Sequence, residues 1–165
     1  MNKILLVILF VAAGLSSCKK SSVGPEREKE QARIDDAIIQ QYLTDNDLLD
    51  SAIRIDTTGV FYIVEKPGEG NAVFTNSTVI TLGHKTRVLG SDNIIDETGK
   101  FHPSITLGSN IIKSWQLGIP QVQKGGVVRI LSPSRYAYGP YDQPTIGIPA
   151  NSVLDFEITL YDITN

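Results

Sequence analysis

Two stretches near the C-terminus decide the fold, namely GGVVRILSPSRYAYG at residues 125–139 and IGIPANSVLDFEITL at residues 146–160. In the first stretch a glycine turn leads into an apolar strand, and in the second Ile148-Pro149 leads into another strand. The Tyr-Ala-Tyr-Gly loop at residues 136–139 presents aromatic and apolar groups rather than acids, bases or metal ligands. A site built on this loop would bind and bend an apolar group and would not perform covalent chemistry.

Alternation of apolar and polar residues predicts an antiparallel sheet around these stretches. Strands are expected at residues 60–64, 78–89, 104–107, 127–131 and 152–163. Residues 110–117 instead predict a helical turn that holds Trp115. One short helix against several antiparallel strands is an α+β arrangement, which we place at residues 57–165. The longest strand should turn one set of side chains toward the core: Ile80, Leu82, His84, Thr86 and Val88.

An amphipathic helix is predicted ahead of this domain, within a helical segment at residues 26–56. Pro25 followed by acidic residues is typical of a helix start, and the helix should end near Asp45. Its apolar residues form one stripe that could dock either on its own domain or on a second copy, which would make a homodimer. The stripe comprises Ile34, Ile38, Tyr42, Ile39 and Leu43.

The first 17 residues have the pattern of an export signal. Lys3 supplies the positive charge, and the apolar run at residues 4–14 is too short to cross a bilayer as a stable helix. The sequence Leu-Ser-Ser-Cys ending at Cys18 has the form of a bacterial lipobox, whose cysteine is lipidated. The alternative is an ordinary signal peptide with a chance cysteine. We predict lipidation at Cys18, a linker at residues 18–25, and a lipid-anchored protein of the cell envelope, at the outer membrane and facing the periplasm.

Composition excludes several classes of function. Removing residues 1–17 removes only Lys3 among the charged side chains, which leaves 14 basic and 18 acidic groups, a net charge of −4. This balance argues against a nucleic-acid partner. The two histidines, His84 and His102, lie in no metal-binding motif, and neither a nucleophile elbow nor a phosphate-binding loop is present. We therefore expect no metal and no cofactor.

Three sequence blocks give the chain a family resemblance. They lie at residues 125–130, 133–139 and 148–157, and a fourth match joins Leu107-Gly108 to the segment ending at Trp115. Over about residues 57–164 the chain resembles FKBP-type peptidyl-prolyl isomerases, the macrolide-binding immunophilins. The resemblance implies an antiparallel sheet wrapped around one short helix, with a shallow apolar pocket between them. It also implies isomerisation of X-Pro bonds without a cofactor, in proline-containing segments of exported proteins, and macrolide binding.

The resemblance assigns roles to individual residues. Trp115 matches the floor of the family's pocket, Phe156 its wall, and Asp96 an acid at its edge. Tyr138 matches the tyrosine whose hydroxyl bonds to the substrate carbonyl. These four are the implied catalytic residues. The implied substrate-binding residues are Ile111 and Ile112 at the helix entry, Ile148 as a cap, and His84, Ile95 and Ile105 on the opposite walls.

Three pocket positions depart from the family pattern. His84 stands where the family has tyrosine, and Ile95 and Ile105 stand where it has phenylalanine. Isoleucine keeps an apolar wall but loses the ring that packs on a proline, while His84 could still bond to Asp96. We therefore expect a prolyl isomerase of weakened activity that assists the folding of exported proteins.

Two other hypotheses stay open at this stage. The first is a degenerate family domain that only binds proline-containing or apolar segments, as a chaperone or assembly factor. The lost aromatic residues at positions 84, 95 and 105 favour it. The second is an inert structural component of the envelope. Isomerisation of a short peptide would distinguish the enzyme from both.

Overall fold

The computed structural model describes residues 24–165, so the predicted signal, Cys18 and most of the predicted linker lie outside the described residues. In the described part an N-terminal helix precedes an antiparallel sheet and one short helix, as predicted. The sheet has the order β1-β2-β6-β7-β3-β4, and β5 pairs with β3. The elements are α1 Pro25–Asp45, β1 Ile53–Arg54, β2 Phe61–Lys66, β3 Val79–Val88, β4 Asp96–Glu97, β5 Ser104–Thr106, α2 Lys113–Gly118, β6 Val127–Ser132 and β7 Leu154–Thr164.

Strand β7 lies between β3 and β6 and supplies the centre of the core. Its alternate residues Leu154, Phe156, Ile158 and Leu160 are fully buried, as the alternation predicted. Neighbouring positions on β2, β3 and β6 point to the same side, and together they form the face that packs against α2. We call this the α2 face. Its core residues on the strands are Ile80, Leu82, Val128, Ile130, Leu154, Phe156, Ile158 and Leu160.

Helix α2 lies close against this face because its last residue is glycine. A side chain at Gly118 would overlap the Ile130 side chain of β6. The short 3-10 turn Ile119–Gln121 follows directly, and Ile119 is fully buried in the same core. The approach of α2 fixes the height of Trp115 above the sheet.

Helix α1 packs on the opposite side of the sheet, which we call the α1 face. Ile39 and Leu43 are fully buried there against Phe61, Leu131 and Val153. The predicted stripe is therefore rotated, because Ile34 and Ile38 are 46% and 43% exposed. The buried row is the i, i+4 series that begins at Asp35, and Ile34 and Ile38 lie about 100° away around the helix.

Polar contacts also attach α1 to the rest of the chain. Asp35 is fully buried, and its Oδ2 accepts hydrogen bonds from the backbone N and the Oγ of Ser134, at 2.8 and 2.7 Å. Farther along α1, the hydroxyl of Tyr42 accepts a hydrogen bond of 2.7 Å from Arg129. Arg129 also donates to both carboxylate oxygens of Asp155, at 2.9 and 2.6 Å, and this bond raises the pKa of the guanidinium. Among residues 24–165 no helix has the length and apolar character required to span a membrane.

Candidate functional site

Trp115 sits in the first turn of α2 and closes the core of the α2 face. The chain enters the helix through Ile112, whose extended backbone turns at Lys113, and the Trp115 backbone N donates to the Ile112 carbonyl. The indole is 8% exposed. Its Nε1 is enclosed and has no hydrogen-bond partner among the described residues. The indole thus forms a floor whose N–H makes no hydrogen bond to the described residues.

Three rings lie in series at this floor. The edge of one ring meets the face of the other between Trp115 and Phe156, with centroids 5.5 Å apart and an interplanar angle of 90°. The His84 ring also lies close to the indole, with centroids 5.0 Å apart and an interplanar angle of 57°. Phe156 is held by pairing with Thr86 on β3 and Ile130 on β6. Three residues that the resemblance assigned to one pocket are thus brought into contact.

The rim of the site is formed by β3 and the short strand β4. His84 Nε2 donates to Asp96 Oδ2 at 3.0 Å, the hydrogen bond that the sequence suggested. The two side chains are 14% and 44% exposed, so the pair lies at the boundary between core and solvent. Register pairing of Thr86 with Asp96 places β4 beside β3.

A threonine that sequence reasoning missed also anchors this rim. The Thr98 hydroxyl accepts a hydrogen bond of 2.9 Å from the His84 backbone N, and the Thr98 backbone N donates to the His84 carbonyl at 3.0 Å. A threonine just after a two-residue strand carries no pattern that would mark it in the sequence. Its effect is to fix the backbone of His84 against the β4 segment.

Tyr138 approaches the same rim from the loop after β6. The 3-10 turn Ser134–Tyr136 begins this loop, and the backbone N atoms of Ala137 and Gly139 both donate to the Ser134 carbonyl. Burial and the negative charge of Asp96 raise the pKa of the Tyr138 phenol above its usual value of 10.0. The hydroxyl therefore lies within electrostatic reach of Asp96 and stays protonated at neutral pH.

The predicted aliphatic residues surround these rings. Ile148 is 2% exposed and belongs to the core, and a pair of backbone hydrogen bonds with Gln143 closes its loop. Ile105 pairs with Ile80, four residues along β3 from His84. Partly buried residues that pack against the same core include the predicted Ile95, Ile105, Ile111, Ile112 and Tyr138, and also Ile146, which sequence reasoning did not single out.

The site therefore has an apolar wall with one protonated phenol and one carboxylate–imidazole pair at its rim. Among residues 24–165 there is no group of three or more His, Cys, Asp or Glu side chains that could hold a metal ion. Chemically, such a wall can lower the polarity around a bound group, and the phenol can donate one hydrogen bond to it.

Comparison with known proteins gives a family match and several relatives. Residues 70–161 match the family model described as FKBP-type peptidyl-prolyl cis-trans isomerase. The isomerase FkpA of Buchnera aphidicola subsp. Schizaphis graminum is 31% identical over 66% of this chain and 42% of the relative. FK506-binding protein 1 of Saccharomyces cerevisiae is 34% identical over 59% of this chain and 86% of the relative.

Structural comparison agrees with the sequence. The crystal structure of FkpA from Escherichia coli is similar with a TM-score of 0.66 at 22% identity, covering 99% of this chain and 83% of the FkpA chain, which shows a shared fold. The chain spans less than half the length of the Buchnera relative. The matched family model covers more than half of this chain and includes every residue of the site from His84 to Phe156. The chain therefore belongs to the FKBP-type peptidyl-prolyl cis-trans isomerase family.

Proposed function

We propose that this chain isomerises X-Pro bonds in exported proteins, using the wall formed by Trp115 and Phe156. The observation that carries the proposal is the contact of these two rings beneath the rim that holds Tyr138 and Asp96. A proline ring seated on the indole would place its preceding carbonyl near this rim. Family membership supports the same reaction.

Isomerisation of an X-Pro bond requires a site of suitable shape and low polarity. Rotation about an X-Pro bond has a barrier of about 18–20 kcal/mol, because twisting removes amide resonance. The twisted amide has less charge separation than the planar one, so an apolar wall favours it. Each 1.36 kcal/mol of this preference raises the rate about tenfold. Stabilisation of the twisted state is differential binding, which requires neither a nucleophile nor a proton transfer.

Tyr138 would supply the directional contact. Its raised pKa keeps the phenol protonated, so the hydroxyl retains the proton that it can donate at physiological pH. A hydrogen bond to the substrate carbonyl holds the amide while the proline nitrogen turns. Asp96, bonded to His84, is the second polar group at the rim.

Three substitutions are the basis for proposing reduced activity. Aliphatic Ile95 and Ile105 pack against the core but offer no ring edge to a proline, and His84 is committed to Asp96. The same observations favour the second candidate function, a domain that binds proline-containing segments without turning them. Binding of a proline peptide or a macrolide with no isomerisation would support this second candidate.

The site roles can be tested with the purified chain on a short Ala-Pro peptide. We expect catalysed cis–trans exchange that is lost in Trp115→Ala and reduced in Tyr138→Phe. A matched control is Tyr161→Phe, which removes the hydroxyl of an exposed tyrosine of β7 that is not among the site residues. A wild-type rate equal to background, unchanged by either site substitution, would show that the enzyme function is wrong.

We also propose that the protein is anchored in the cell envelope through lipid on Cys18. The lipobox pattern and the single cysteine support this proposal, together with a division into signal (1–17), linker (18–25), helical segment (26–56) and isomerase domain (57–165). Mass spectrometry of the protein from its native host should find an N-terminal diacylated Cys18. Cys18→Ser should release the protein into the soluble fraction, and an unmodified Cys18 in membrane-associated protein would contradict the proposal.

A further inference from the structure

A groove separates the N-terminal half of α1 from the loop that holds Tyr138. Its volume is about 630 Å³, and Arg27, Gln31 and Ile34 line one side while Tyr138 and Tyr141 line the other. Clefts that bind ligands in proteins have volumes of about 300–1,000 Å³. The groove is thus large enough to hold several residues of a polypeptide.

The two walls of the groove are fixed relative to one another. Asp35, the neighbour of Ile34 on α1, accepts both hydrogen bonds from Ser134 at the start of the Tyr138 loop. On the next residue of each wall, Arg135 lies 4.0 Å from Asp36. Because Asp35 is fully buried, its hydrogen bonds are shielded from water and fix the spacing of the two walls. A preformed groove loses little conformational entropy on binding.

The chemistry of the lining fits a polypeptide. Ile34 and Tyr141 are 46% and 63% exposed, so the described residues leave apolar and aromatic surface accessible in the groove. The charged lining residues balance in sign: Arg27, Arg135, Glu28 and Glu30. A balanced lining gives no preference for a polyanion such as nucleic acid. Exposed aromatic and aliphatic groups can contact the apolar side chains of a bound polypeptide, and the hydrogen-bonding side chains beside them can bond to its main chain.

Tyr138 joins this groove to the isomerase site. Its ring packs against the core of the α2 face, and the charge of Asp96 raises the pKa of its phenol. Tyr138 also lines the groove. A chain that leaves the Trp115 wall past Tyr138 therefore meets the groove next. Resting on the proposed isomerase function, we propose that the groove binds residues of the substrate polypeptide that flank the proline, and so favours unfolded proteins over short peptides.

The test compares two substrates on the purified full chain. One is a short Ala-Pro peptide, which reaches only the Trp115 wall, and the other is an unfolded protein whose refolding is limited by prolyl isomerisation. In the groove, Ile34→Glu and Tyr141→Ala should each raise KM for the protein substrate about tenfold, a typical effect of losing one anchoring side chain. Both should leave kcat/KM for the short peptide within twofold.

Ile38→Glu is the matched control, since Ile38 is equally exposed on the same helix and lies outside the groove. It should change neither KM for the protein substrate nor kcat/KM for the short peptide. The proposal is overturned if Ile34→Glu and Tyr141→Ala behave like Ile38→Glu, or if they slow both substrates equally. The second result would mean that they disturb the Tyr138 loop itself.

A binding measurement separates failure of the groove from failure of the isomerase function. Reduced, carboxymethylated α-lactalbumin stays unfolded and can be titrated onto the chain by fluorescence anisotropy. If the wild type isomerises neither substrate, the enzyme function is wrong, and the groove is then judged by whether Ile34→Glu weakens this binding about tenfold relative to Ile38→Glu. Sedimentation velocity completes the test: loss of a dimer in Ile34→Glu would identify the groove as an interface between copies and overturn the proposal.

Discussion

The α2 face of the sheet is covered by apolar side chains from β2 to β3, whereas the α1 face carries a row of charged ones that α1 covers only in part. On the α1 face Lys85 bonds to Glu157 at 2.8 Å, and Arg129 bonds to Asp155. Phe61, Leu131 and Val153 form a smaller core beneath the helix. The α2 face of the sheet thus buries apolar side chains, and the α1 face forms hydrogen bonds and ion pairs.

The difference shows how the site is divided between the two faces. Burial is non-directional and roughly proportional to area, so the α2 face supplies the wall of the site through Trp115 and Phe156. Hydrogen bonds specify orientation, so the α1 face determines where the helix lies along the sheet. Through Asp35 the helix reaches around the edge to Ser134 and therefore to the Tyr138 loop.

The largest expected effect breaks the α2 face. Phe156→Ala removes a fully buried ring that contacts Trp115, and it should lower the free energy of unfolding by about 3–5 kcal/mol. Urea denaturation measures the change. Val64→Ala, a partly exposed position on β2, is the control and should change stability by less than about 1 kcal/mol. Equal losses in the two variants would mean that the buried Phe156 ring stabilises the core no more than an exposed side chain on the same face.

A smaller effect tests the polar attachment of α1. Asp35→Ala leaves the backbone N and the hydroxyl of Ser134 without their acceptor, which should lower the free energy of unfolding by about 1–3 kcal/mol. It should also lower kcat for a short peptide, because the loop that positions Tyr138 loses its anchor. Asp45→Ala, at an exposed position on the same helix, is the control. A stability loss with unchanged kcat would show that α1 supports the fold without positioning Tyr138.

A third prediction concerns the rim between the faces. His84→Tyr combined with Ile95→Phe exchanges the imidazole beside Trp115 for a phenol and adds one ring at position 95. An aromatic contact contributes about 0.5–1.5 kcal/mol, or roughly 2- to 10-fold in rate. We therefore expect kcat/KM for a short peptide to rise by that factor. Ile94→Phe, one residue from Ile95 and exposed, is the control. No gain in the double variant would count against reduced activity as the consequence of these residues.

The smallest effect is a pH dependence. Burial and Asp96 raise the pKa of Tyr138, so its donor form persists up to and beyond pH 10.0. Isomerisation should therefore change little through titration of Tyr138 between pH 7 and 9, and its alkaline decrease should have its midpoint above pH 10.0 and be absent in Tyr138→Phe. A decrease centred below pH 9 that disappears in Tyr138→Phe would mean that the phenol is not held in its protonated form.

The α2 face could be predicted from the sequence because its signals are local. Alternation along β3 and β7 identified the buried residues, and the family blocks assigned Trp115 and Phe156, whose ring centroids lie 5.5 Å apart, to one pocket. The orientation of α1 could not be predicted in the same way. Its five apolar residues allow two docking faces, and the choice depends on Ser134, which is 99 residues from Asp35 along the chain. The groove beside Tyr138 depends on that same long-range contact.

Binding and turnover of a proline peptide at Trp115, the only tryptophan in the chain, can be followed together by NMR. The indole N–H of Trp115 has no partner among the described residues, so its single cross-peak reports what enters the site. On adding an Ala-Pro peptide, we expect this cross-peak to shift while the cis and trans peptide signals exchange faster than they do alone. Exchange at the uncatalysed rate with an unmoved indole signal would contradict the proposed isomerase function.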